Sequence, residues 1–166
     1  MARRFGRRIR RTAAGTYALR LPRAEAELLA SLVDQLRELL ELSTDDPSVR
    51  RLFPTAYHDD PERDREYQQL VRDELLQRRL AALAVVEDTV RRKELDEVQL
   101  AGWLTALNDL RLVIGTRLDV SEDQDELDED DPDAPAMAVY GYLSVLLSEA
   151  VDALADDLPP PTDAEV

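Results

Sequence analysis

Apolar residues recur at helical spacing along most of the chain, and the longest such stripe lies between Asp96 and Leu118. At about 100° per residue, Leu100, Trp103, Leu104, Leu107, Leu110, Ile114 and Leu118 fall in one sector about 120° wide, as the face of a core helix does. Asp96, followed three residues later by Gln99, marks the start of that helix as a capping box. Three more stripes predict helices. Leu28, Leu29, Leu32, Val33, Leu36, Leu39 and Leu40 follow Pro22, which suits a first helical turn. Val71, Leu75, Leu76, Ala82, Leu83, Val86 and Val90 run through a long segment from Pro61 to about Arg92. Val139, Tyr140, Leu143, Leu146, Leu147, Ala150, Val151 and Leu154 form the last stripe, ended by the prolines after Leu158.

The breaks between these segments carry their own signals. Asp46-Pro47 and Asp60-Pro61 each pair an N-cap residue with a proline at the first helical position. The first of these opens a short helix that must stop before Pro54. Lys93-Glu94-Leu95 is a link short enough to make its two flanking helices antiparallel neighbours. Near the N-terminus the period changes to two. Tyr17, Leu19 and Leu21 alternate with Thr16, Ala18 and Arg20, as on a half-buried strand. Phe5 and Ile9 suit the facing strand, which places Arg8 and Arg10 on the solvent side, and Thr12-Ala13-Ala14-Gly15 suits the turn.

The expected fold is mainly α: an antiparallel helical bundle of four main helices plus a short helix, with the N-terminal β-hairpin packed on it. One domain spans residues 1–158, with the hairpin at 4–21, helices within 22–118 and 136–157, and an acidic mobile loop at 119–135. Residues 159–166 are expected to be a disordered tail.

Charge sharpens this picture. The net charge is −15, yet the first 23 residues hold eight arginines and no acid, so the remainder carries −23. Asp119 to Asp133 holds ten acids in fifteen residues and no base, which is why it reads as a mobile loop. Twenty arginines against one lysine, Lys93, suggest a GC-rich coding sequence. The basic N-terminus lacks the apolar stretch of a signal peptide, and no run comes near the ~20 apolar residues of a membrane span. A bacterial cytoplasmic protein is the resulting expectation.

Candidate chemistry is sparse. Without cysteine there is no disulfide, thiolate metal site or thiol nucleophile. The single histidine, His58, excludes His-rich zinc sites and reads as a loop residue beside Tyr57. Five scattered glycines form no phosphate-binding motif. Hence no catalytic residue, cofactor or metal is expected. Three charged residues do intrude on apolar stripes of different helices: Glu25, Arg79 and Arg111. They are expected either to form a buried ion-pair cluster, with Glu25 bonded directly to at least one arginine, or to offer two guanidiniums to a carboxylate or phosphate. Arg4, Arg8 and Arg10 form the candidate interaction surface of the hairpin.

The Arg-rich hairpin, Ala24-Glu25-Ala26-Glu27-Leu28-Leu29, Leu52-Phe53-Pro54 with Ala56-Tyr57, and above all Trp103-Leu104 through Leu118 make the chain similar to DUF2017, a domain-of-unknown-function family of GC-rich Gram-positive bacteria. The resemblance covers nearly the whole chain. It implies no established activity, and its gene neighbourhood implies a link to regulated proteolysis. The leading reading is therefore a non-enzymatic interaction or accessory protein with a protein partner, able to form a homo-oligomer. A small-anion-binding protein or sensor using Arg79 and Arg111 is the alternative. Nucleic-acid binding through the hairpin ranks third, disfavoured by the acidic body and the few aromatics. No membrane association is expected.

Overall fold

A computed structural model of the chain describes residues 6–43, 45–118 and 130–156. Two strands open it, β1 (Ile9–Arg11) and β2 (Tyr17–Leu19), followed by helix α1 (Arg23–Leu42). A 3-10 turn at Pro47–Val49 precedes α2 (Pro61–Thr89). A two-residue strand β3 (Glu94–Leu95), α3 (Glu97–Arg117) and α4 (Ala134–Ala155) complete the order. Arg4, residues 119–129 of the acidic segment and the tail from 157 onward lie outside the described residues.

The start signals act as their chemistry requires. Asp46 accepts from Ser48 N at 2.8 Å, and Asp60 accepts from Arg63 N at 3.1 Å. Asp96 and Gln99 form the reciprocal capping box, at 2.7 and 3.0 Å. The expected short helix is a single 3-10 turn, and α4 starts at Ala134, with Pro135 in its first turn.

The hairpin is antiparallel, pairing Ile9 with Leu19 and Arg11 with Tyr17, and Gly15 takes the positive φ of 84° that its turn demands. It is not alone. β3 adds to β2, with Tyr17 opposite Leu95, making a sheet of order β1-β2-β3. The expected bare link between α2 and α3 is thus partly a strand, whose Leu95 seals the core.

α3 lies at the centre, packed on both α2 and α4. Arg79 bonds Asp109, and Thr89 bonds Trp103; the pairing runs in opposite senses along the two helices, so α2 and α3 are antiparallel. Because α3 is covered by α2 and α4 and also meets α1 and the 3-10 turn, its buried arc is wider than one stripe. It takes in Leu100, Trp103, Ala106, Leu107, Leu110 and Val113, and reaches Asp109. Arg111 falls at the rim of this arc, half-buried, instead of inside it. α4 does reach the length and apolarity of a membrane span, against expectation. In the fold it buries Leu143, Leu146, Ala150 and Ala153, in contact with α3 and β1.

Candidate functional site

The charged residues sort into three groups. The first joins three distant segments. Arg8 lies in the bend just before β1, and its Nε and one terminal nitrogen donate to the two oxygens of Glu25 at 2.6 and 2.7 Å. The Tyr142 hydroxyl, from α4, donates to the same carboxylate at 2.7 Å. About two turns further along α4, Glu149 accepts from the backbone N–H groups of Arg8 and Ile9, at 2.7 and 3.1 Å. Glu25 therefore ties β1 to α1 and α4 at once. The Arg8 guanidinium holds the Glu25 carboxyl below its ordinary range, against the opposing effect of burial. Burial and the neighbouring carboxylate push the Tyr142 hydroxyl well up, so it stays a proton donor.

This corrects two expectations. Arg8 is no solvent-facing residue of an interaction surface; only about a fifth of its side chain is exposed. Strand alternation does not govern it, because it precedes the strand. And Glu25 meets neither Arg79 nor Arg111: its partners are Arg8 and Tyr142.

Arg79 belongs to the second group. It donates to Asp109 of α3 and, at 2.8 Å, to the carbonyl of Leu52. Phe53 lies against both Arg72 and Arg79, with guanidinium-to-ring distances of 4.6 and 5.8 Å. The Asp109 side chain is 1% exposed and that of Arg79 18%. Burial pushes the Asp109 carboxyl up, and the Arg79 guanidinium pulls it back down. Arg111 reaches Asn108 at a long 3.4 Å. Sequence reasoning missed Asp109, and the signal for it was an acid three residues from Ala106 and four from Val113. His58, in its turn, is exposed, and no cluster with metal-ligand character occurs among the described residues.

The third group is open. A groove of about 760 Å³ runs between the end of β2, the start of α1 and the turn from α2 into β3. Arg20, Arg23, Arg91, Arg92 and Lys93 line it, with Glu27 as its one acid. Glu27 is held by Arg23 at 2.8 Å. A smaller hollow beside it shares Ala18 and Arg20 and adds Arg7 and Arg10. Of the two described residues of the sequence-derived interaction surface, Arg10 borders this open basic surface and Arg8 does not; Arg91, Arg92 and Lys93 join it from far along the chain.

The family model described as Domain of unknown function (DUF2017) matches residues 6–154. Proteins named oxidative stress regulator AosR, from Mycobacterium bovis and Mycobacterium tuberculosis, are each 31% identical over 137 residues. The match covers 68% of this chain and 63% of each relative, so the chain spans less than two thirds of their length. No solved structure matches. The chain belongs to the DUF2017 family.

Proposed function

We propose that this DUF2017 member is a non-enzymatic regulatory or accessory protein of the bacterial cytoplasm that acts by binding another protein. The observation that carries this reading is the sorting of its charges. Two part-buried pairs inside the fold are spent on each other, Arg8 with Glu25 and Arg79 with Asp109. A cluster of open cations lines one outer face. A buried, mutually bonded pair supports architecture better than turnover. The name of the mycobacterial relatives points the same way, toward regulation. With no cysteine among these residues, thiol chemistry is not their route to sensing an oxidant. The family's gene neighbourhood suggests regulated proteolysis as one setting for such a partner. The small-anion reading loses support because Arg79 already donates to Asp109 and to Leu52.

The test is a photo-crosslinking scan in living cells. A crosslinking residue replaces Arg20, Leu70 or Val145 in turn, all exposed and on different elements. Discrete protein adducts from at least one position are expected. No adduct from any of the three contradicts the reading.

A further inference from the structure

We propose that the basic groove between β2, α1 and the α2–β3 turn binds an acidic, amphipathic segment of a partner protein. The inference rests on the interaction reading above and adds to it the place and the chemistry.

Three observations converge on the groove. First, Arg20, Arg91, Arg92 and Lys93 have no carboxylate partner among the described residues. In a chain of 36 acids and 21 bases these four nonetheless sit together in one lining, whereas Arg7, Arg23 and Arg78 are each held by an acid, Asp152, Glu27 and Glu74. Against the five cations of the lining stands only Glu27, already occupied. Like charges held close together repel, and a ligand of opposite charge relieves that repulsion. Secondly, α1 begins at this groove with Pro22 and no side-chain cap, so the positive end of a 20-residue helix dipole faces the same space. Thirdly, the floor is apolar. Leu19, Ala26 and Val90 are buried beneath it, and Leu21 is half-buried at its side.

The floor and the charge together select the occupant. A carboxylate-bearing segment with aliphatic side chains satisfies both, its acids on the rim and its methyl groups against Leu21. A nucleic acid satisfies only the charge. No aromatic residue lines the groove for bases to stack on, and the net charge of −15 repels a long polyphosphate as it approaches. A short acidic segment feels the local field of the groove instead, since the distant acids are screened beyond about 8–10 Å at physiological salt.

The experiment uses the full chain and a fluorescently labelled peptide of glutamate and leucine at helical spacing, read by anisotropy at several salt concentrations. Mixed-sequence single-stranded DNA of equal charge is the comparator. Two double variants carry the same change in net charge: Arg91→Glu/Arg92→Glu in the groove, and Arg50→Glu/Arg65→Glu on exposed positions away from it. All four arginines are exposed, and thermal melts confirm that both variants fold. The expected result is salt-sensitive peptide binding, weakened about tenfold or more by the groove variant and less than about threefold by the distant one. Three outcomes overturn the proposal: no peptide binding at low salt, equal weakening by both variants, or tighter binding of the DNA than of the peptide. Crosslinked adducts from Leu70 or Val145 together with a silent peptide would sink the groove alone and leave the interaction reading standing.

Discussion

Glu25 of α1 grips Arg8 through two hydrogen bonds, at 2.6 and 2.7 Å, and so fastens the first strand to the first helix. The same carboxylate takes the Tyr142 hydroxyl from α4. Glu25→Gln keeps the shape and removes the charge, leaving a part-buried guanidinium with a weaker partner. A loss of about 1–3 kcal/mol is expected from urea unfolding, because a hydrogen bond to a charged group is worth more than a neutral one. An unchanged midpoint would mean that solvent replaces the pair at no cost.

The acid side of the stability profile follows from the same residue. The Glu25 carboxyl is held below its ordinary 4.5 by Arg8, so the native state binds its proton less readily than the unfolded chain. Its contribution is complete above pH 4.5 and is lost as pH falls through the depressed native value. Melting temperatures of wild type and Glu25→Gln should therefore converge below pH 4.5. Parallel curves down to the acid limit would contradict the assignment.

The second pair is asymmetric, and the two halves should not cost the same. Asp109 is almost wholly buried, whereas Arg79 keeps some contact with water and a second bond to Leu52. Arg79→Met strands a buried carboxylate, at a cost of about 3 kcal/mol or more near neutral pH. Asp109→Asn leaves Arg79 other outlets and should cost less. The penalty for Arg79→Met should also shrink on acidification, as Asp109 takes up a proton. Chemical denaturation at two pH values reads both effects, and a larger loss for Asp109→Asn would reverse the reasoning.

Trp103 is the largest side chain in the core, fully buried, and its indole N–H donates to Thr89 at 2.8 Å. Trp103→Phe removes that donor and leaves a void between α2 and α3, for an expected loss of about 2–4 kcal/mol. The native emission of this single tryptophan should be blue-shifted, and it should move red in one transition with loss of helicity. Emission already red in the native state would place the ring in water.

Gly102 shows how closely those helices approach. A Cβ there would sit 2.9 Å from a methyl carbon of Val85. Gly102→Ala gains helix propensity but must push α2 away, and a net loss of about 1–3 kcal/mol is expected from thermal or chemical melts. Gly102→Ala/Val85→Ala should recover part of it. A stabilised single variant would show that the contact yields easily.

Helix starts were legible because they are local: Asp-Pro pairs and the Asp96–Gln99 box act within one turn. The hairpin was legible for the same reason, through Gly15. What escaped was set by distant segments. β3 is two residues long, too short for any period, and exists because β2 offers an edge to it. Arg8 precedes its strand and so ignores the alternation that placed it in solvent. Asp109 is buried because α3 is covered on two sides, a fact that no single stripe can carry. The groove unites residues near positions 20 and 92, and only the pairing of β2 with the α2–α3 connection brings these together.

The central claim is that inward arginines hold the fold while outward ones at the groove recognise a partner. Hydrogen exchange of the full chain, with and without the glutamate–leucine peptide, tests it most directly. Added protection confined to residues 18–27 and 90–95 is the expected result, with the outer half of α2 unchanged. Protection on another face, or none where the peptide is shown to be bound, would contradict it.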